Sequence, residues 1–396
     1  MATPWQMSTV KLLSGISNAK QGPTSILNQQ FVPPSPTSQL AFTGPQMFAS
    51  VARAISLTSA SPTMLQALAA SVAPLISAVV DDSGTNFSIT SDVGGLADTE
   101  RTAFSTRLGA GIADRYMESV GYVWRANAKS FGLSSPTPDF VYDGPPVQGH
   151  GVVICEAKGA VASSVTSGSV VTDGRNAYKN QVSQHVGTTV AGSPILHGYA
   201  AAFGAVVGVG ASYLHIEETI LTQSSYGGTG SGGGSGKRAA SGETSPSLAL
   251  RNFRGSFALS DALSTTEAID AVLAGDRERF QKVQSQEYRV VKVQGEEFWF
   301  GYSAKLFALS PASVRRENAT GIADPREGGY FAIHGDVVRR LHKSLREILD
   351  KKIESLVLPI FDLEYLAKNE FGAFFPDGFA FLGNKARPER VEALSF

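Results

Sequence analysis

The chain has almost no cysteine. Cys155 is the single one in 396 residues, which excludes an internal disulfide framework and a cysteine-rich zinc site. It sits in the apolar run 152–155 and reads as a small buried hydrophobe. Charge is scarce as well, at 17% of residues, with Lys plus Arg at 34 against 35 for Asp plus Glu. A formal charge of -1 gives no bulk sign of nucleic-acid binding, so any basic surface has to be local. The six histidines never fall at H-x-H or H-x3-H spacing, and no HExxH occurs, so a histidine metal site is not expected. No G-x-S-x-G elbow is formed: Gly210-Ala211-Ser212 lacks the closing glycine, and the Gly/Ser run 227–236 lies inside flexible sequence. A phosphate loop at Gly236-Lys237 fails too, because Ser231 and Arg238 stand where Gly and Ser/Thr are needed.

The N-terminus lacks a basic-then-apolar leader. The most apolar run, Met64–Val80, is 17 residues interrupted by Pro74, short for a bilayer and better suited to a packed helix. The expectation is a soluble, cytoplasmic protein without stable membrane insertion.

What is present is a globular composition, 42% apolar, with 41 glycines and enough length for two or three domains. Residues 1–45 are rich in Ser, Thr, Pro, Gln and Asn and read as a flexible arm. A helical region follows at 46–84, with helices over 46–57 and 62–80. A helix over 99–120 carries Phe104, Leu108, Ile112, Tyr116 and Val120 every four residues. Glu100 and Glu118 lie beside that stripe, with Asp114 farther round. Strands are expected at 122–124, 139–142 and 152–158, then a polar helix at 175–186 and strands within 196–209 and 212–220. Residues 223–247 read as a Gly/Ser-rich linker or mobile loop. Beyond them lies an α+β region, 248–396, with a hairpin around Gln294-Gly295. A helix over 335–356 completes it, its Arg339, Arg340, Lys343, Arg346, Lys351 and Lys352 interleaved with acids. That interleaving fits a salt-bridged surface, with a phosphate-contacting patch as the alternative.

One stretch stands out. In Pro136–Ala160 an apolar strand ends in Glu156-Ala157-Lys158. Alternation puts Val152, Ile154, Glu156 and Lys158 on one face. A buried strand should not end in a carboxylate and an ammonium unless they have partners. Asp139 stands at the start of the strand before it. Two carboxylates at neighbouring strand ends suit Mg²⁺, which takes hard oxygen ligands, and a lysine alongside can serve an attacking water.

These residues resemble the PD-(D/E)xK phosphodiesterase superfamily, the restriction-endonuclease-like fold. Pro138-Asp139 matches its PD, and Glu156-Ala157-Lys158 matches its (D/E)xK. Tyr178-Lys179-Asn180-Gln181-Val182-Ser183-Gln184-His185 looks like the Y-x-x-Q-L-x-x-Y helix of the RecB/Cas4-like branch, with Val182 for leucine and His185 for the last tyrosine. The resemblance spans about residues 97–220. It implies an α/β fold with a mixed sheet flanked by helices, at about residues 85–222. It also implies that Asp139 and Glu156 hold Mg²⁺ or Mn²⁺, that the Ala157 carbonyl joins them, and that Lys158 serves the water. Glu118 is the best match for a further metal-binding acid from the preceding helix, with Glu100 and Asp114 as fallbacks. Gln181 would contact the site or the nucleic-acid backbone. The implied activity is a metal-dependent nuclease in DNA processing or defence, acting on DNA with RNA as the alternative. Two rivals stay open: a secreted nuclease toxin, with the N-terminal segments serving delivery, and a non-catalytic nucleic-acid-binding or assembly protein that keeps the fold. Residues 248–396 would bind substrate, a partner or a second copy of the chain.

Overall fold

The computed structural model describes residues 5, 8–24, 31–221, 240–309, 328–363, 365–366, 372–383 and 386–396. Contrary to the expected flexible arm, the described part of residues 1–45 is built into the fold. Strand β1 (Lys11–Ser14) and, beyond β2 (Ser17–Thr24), strand β3 (Gln39–Phe42) form an antiparallel ribbon. Trp5 and Lys11 are buried, and the Lys11 ammonium reaches the Gly84 carbonyl and Asp82. Strand β2 takes the edge of a large sheet. Its polar sequence SNAKQGPT suits an edge, where Lys and Pro discourage further pairing. The composition therefore reports exposure of one side, not absence of partners.

Helix α1 (Gly44–Ser56) starts at Thr43, whose hydroxyl accepts from the Gln46 amide while the Gln46 side chain accepts from Thr43 N–H, a capping box. Helix α2 (Pro62–Val79) starts at Ser61 with proline in its first turn. Among the described residues α2 alone is long and apolar enough to cross a membrane, and its Leu65, Ala69, Val72 and Ile76 are packed inside the protein. Helix α3 (Asp98–Ser119) buries Phe104, Leu108, Ile112 and Tyr116, as the four-residue spacing predicts.

Three antiparallel strands follow: β4 (Trp124–Asn127), β5 (Phe140–Asp143) and β6 (Val152–Val161). Helix α4 (Ser167–Ala177) continues into a π-helical turn, Tyr178–Val182. The chain then makes the short β7 (Thr189–Val190), β8 (Ser193–Ala205), parallel to β6, and β9 (Ser212–Leu221), antiparallel to β8. The sheet order is β2-β9-β8-β6-β5-β4, with β2 parallel to β9.

The expected linker is corrected in its described part, since Ala240–Thr244 is strand β10 and Pro246–Leu259 is helix α5; residues 222–239 lie outside the described ones. Helices α6 (Leu263–Ala274) and α7 (Arg277–Gln281) lead to the predicted hairpin, β11 (Gln286–Val293) and β12 (Glu296–Gly301). Gln294 and Gly295 both have positive φ there, as a two-residue type I′ turn requires. Strands β13 (Phe307–Ala308) and β14 (Gly328–His334), helix α8 (Gly335–Leu349), β15 (Leu356–Ile360), β16 (Gly372–Phe374), β17 (Phe379–Gly383) and β18 (Arg390–Leu394) complete the chain. The second sheet runs β16-β17-β14-β12-β11-β18, and β10 pairs with β15. On α8, Arg339 bonds Asp336 and Glu297, in keeping with the salt-bridged surface.

Helix α1 lies between the sheets. Its Phe48 meets Phe307, Phe331 and Phe381, while Val51 presses against Gly111 of α3. One hydrophobic cluster thus joins both sheets. At its centre Arg53, nearly inaccessible, faces Asp377 at 3.1 Å, Glu118 at 3.5 Å and Asp114 at 3.9 Å, and Arg125 bonds Asp114 at 3.0 Å.

At Gly159 of β6 a Cβ would stand 1.9 Å from the Ser105 carbonyl of α3, whereas at Gly84 it would meet nothing within 4 Å. Gly159→Ala is expected to cost about 1–3 kcal/mol in denaturant unfolding, and Gly84→Ala less than about 0.5 kcal/mol. Arg53→Ala leaves Asp114 and Asp377 buried without this cation and is expected to cost about 3–5 kcal/mol.

Candidate active site

The loop between β4 and β5 sets the first residue of the site. The Ala128 amide bonds the Asp139 carbonyl at 3.0 Å, which holds Asp139 immediately before β5. From the turn after α4, Gln184 Nε2 donates to the Pro136 carbonyl at 2.8 Å and His185 Nε2 meets the same oxygen at 2.9 Å. The far side of the loop is therefore fixed as well.

Strand β6 runs beside it, and the two acids hold each other's backbone. The Ala157 amide donates to Asp139 Oδ2 at 3.0 Å, and the Asp139 amide donates to Glu156 Oε2 at 3.0 Å. Lys158 Nζ bonds Glu156 Oε1. Glu156 is 1% exposed, while the Lys158 side chain is 41% exposed. The arrangement is a carboxylate floor with an ammonium at its solvent side.

Burial and the Asp139 charge push the Glu156 carboxyl up to about 7, against the bonds from Lys158. Burial also raises Asp139, opposed by the Ala157 amide and the Lys158 charge. Two desolvated acids this close favour keeping one proton, since both cannot ionise cheaply. A divalent cation would relieve the same repulsion, and two carboxylates are the donors a hard cation takes. Among the described residues no group of three His, Cys, Asp or Glu side chains is placed to hold a metal.

Above the pair is a cavity of about 410 Å³, lined by Asp139, Glu156, Ala157, Lys158 and Gln181 together with Thr106, Asp173, Asn176 and Asn180. The structure thus brings together five of the six residues singled out in the sequence. Gln181 sits on the π turn and reaches the Thr137 carbonyl only at 3.5 Å. Tyr178, its companion in the motif, is buried and bonds Thr219 Oγ1 at 2.7 Å.

Glu118 is the correction. It pairs with Arg115 at 2.8 Å and Arg53 at 3.5 Å and lines a different cavity. The fallbacks do not replace it: Glu100 is exposed and accepts from Thr99, and Asp114 belongs to the arginine cluster. From α3 it is Thr106 that faces the carboxylates. Asp173, Asn176 and Asn180 were not picked from the sequence. Their spacing with Gln181 (i, i+3, i+7, i+8) is that of one helix face, so a helical wheel turned toward the ExK strand would have found them.

No family model matches the chain, and no curated protein or solved structure matches it.

The raised acids give a pH prediction. Glu156 binds its proton more tightly folded than unfolded, moving from the ordinary 4.5 to about 7. Its contribution to stability is therefore complete below about pH 4.5 and is lost as pH rises through about 7. In EDTA, melts between about pH 5 and pH 8 should show a smaller loss of stability for Glu156→Gln than for wild type. The difference in slope should reach at most about 1.4 kcal/mol per pH unit. Parallel curves would place the titrating group elsewhere.

Proposed function

We propose that the protein is a Mg²⁺-dependent nuclease, with a restriction-endonuclease-like core at about residues 85–222 and DNA as its substrate. The observation that carries the reading is the reciprocal clamp of Asp139 and Glu156 with Lys158 on the cavity side. The order of helix α3, three antiparallel strands, crossover helix α4 and a strand parallel to β6 supports it.

Asp139 and Glu156, with the Ala157 carbonyl, would hold the cation; Mn²⁺ is the alternative to Mg²⁺. When bound, such an ion makes water more acidic and neutralises charge on a phosphodiester. The protein's own residues do the rest. The clamp fixes both carboxylates on backbone amides, so neither has to reorganise when charge develops. Lys158, on the exposed side of Glu156, orients the water that attacks phosphorus; that water gives a proton to solvent, one ester P–O bond breaks, and the leaving oxygen takes a proton from solvent. The α4 wall, through Asn176, Asn180 and Gln181, offers amides to the substrate's oxygens.

Strand β2 is part of the sheet, so a reading in which residues 1–45 form a detachable delivery arm finds no support in this segment. A non-catalytic protein with the same fold is separated by assay.

Purified protein with Mg²⁺ should cleave plasmid DNA, linear DNA or RNA, and Lys158→Ala should slow it by about 10² or more. Independently of activity, Mg²⁺ should raise the melting temperature of wild type and not of Asp139→Asn. Equal cleavage by wild type and Lys158→Ala would remove the site from the chemistry. Absence of cleavage on every substrate would favour the binding protein.

A further inference from the structure

The face of the first sheet that carries Glu156 and Lys158 continues beyond them to a second polar cluster. In register, Glu156 lies beside Ala200 and then Glu217, and Lys158 beside Ala202 and then His215. Strand β2 adds Ser17 next to His215. Helix α4 lies over this row: a Cβ on Gly174 would meet His215 Cδ2 at 2.9 Å and Glu217 Cγ at 3.6 Å. The cluster is therefore separate from the carboxylate cavity.

Ser17 Oγ is 2.8 Å from His215 Nδ1, and His215 Nε2 is 3.0 Å from Glu217 Oε1. Glu217 is fully buried and His215 is 3% exposed, whereas Ser17 faces solvent. Gln21 Nε2 donates to Glu217 Oε2 at 2.6 Å, and Arg175 Nε stands 3.7 Å from Oε1. With the Gln21 N–H donating to Oε2 and the Arg175 charge beside Oε1, Glu217 is a carboxylate acceptor, and His215 Nε2–H donates to it. That fixes the tautomer in which Nδ1 carries the lone pair. The serine's other acceptor, the Leu214 carbonyl, is farther, at 3.5 Å. A hydroxyl on a base that is itself oriented by a third group is the geometry of an activated nucleophile.

We propose that Ser17, His215 and Glu217 form a second reactive site, which takes activated carboxylic esters. Ser17 Oγ adds to the ester carbonyl while His215 Nδ1 takes its proton. The acyl–oxygen bond to the leaving alcohol breaks, and the proton passes from His215 to that alcohol. Water then attacks the acyl-serine by the same route, releasing the acid and restoring Ser17. Glu217 is a positioning residue that steadies the imidazolium. Among the described residues strand β2 is the last strand on its side of the sheet, so alternate amides along it point away from β9 and can serve the carbonyl oxygen.

The test is labelling of the full chain by an alkyl fluorophosphonate, in which the Ser17 Oγ–P bond forms and fluoride leaves, followed by peptide mass mapping. The expected result is one adduct on Ser17, with none in Ser17→Ala, which should still unfold in one cooperative melt. Glu217→Gln should label at least about tenfold more slowly. If Glu217→Gln does not fold, Ser17→Ala decides alone, through turnover of p-nitrophenyl acetate, which should drop to the solvent rate. Labelling no faster than in heat-unfolded protein, adducts spread over other serines, or ester turnover unchanged in Ser17→Ala would each overturn the proposal. Mg²⁺-dependent cleavage should be the same in Ser17→Ala and wild type.

Discussion

Arg53 is the charge on which the two halves of the molecule meet. It rises from α1 into a buried junction between the sheets and touches acids from α3 and from the loop before β17. Its guanidinium also stacks 3.9 Å from the Phe375 ring centroid. Burial alone would lower its basicity, and Asp377, Asp114 and Glu118 together hold it above the ordinary value. Asn252 of α5 adds a bond to Asp377. Such a cluster survives because Arg53, Arg115 and Arg125 stand against Asp114, Glu118 and Asp377, three charges of each sign, and each acid faces an arginine. Breaking one pair would cost more than the pair contributes, since the remaining charge would stay buried. Burial still pushes Asp114 up to about 7, so the junction retains some strain.

The carboxylate cavity follows the opposite rule. It has two buried or half-buried acids against one lysine, and that lysine is itself partly in solvent. Buried charge of one sign has no structural use that two neutral side chains would not serve better. The contrast between a balanced cluster and an unbalanced one, in a single molecule, is the physical reason for reading the second as a place for a ligand. It also explains Glu118. An acid on α3 can serve one cluster, and Arg53 and Arg115 claim this one.

Much of this was legible in the chain. The alternation Val152, Ile154, Glu156, Lys158 placed the acid and the lysine on one face, and the four-residue stripe placed α3. Those signals are local, because a strand's period and a helix's period depend on nearest neighbours alone. Glu118 was only half legible: its i,i+3 neighbour Arg115 is a local pattern, but its second partner Arg53 stands 65 positions upstream in the numbering, and no pattern links them. The N-terminal strands escaped for a similar reason. Strand β2 owes its order to β9, nearly 200 residues away in the chain, and tertiary pairing overrides weak intrinsic preference.

Helix α4 shows how one element ties these observations together. Its depth is set where Gly174 sits over His215 and Ala202, and no larger residue would let it lie so low. At that depth Asp173, Asn176 and Asn180 become the wall of the carboxylate cavity, while Arg175 turns to Glu217 on the other side. A regular helix would then carry its last turn past the cavity. The π turn adds one residue per turn, with Ser183 N–H bonding Tyr178 O at 2.9 Å, and it coincides with the place where Gln181 reaches the cavity and Tyr178 the core. Three glycines let this segment lie low: Gly174 under its own helix against His215, Gly204 beneath Val170 and Gly198 beneath Val182, so the cavity wall, the place of Gln181 and the seating of His215 are set together.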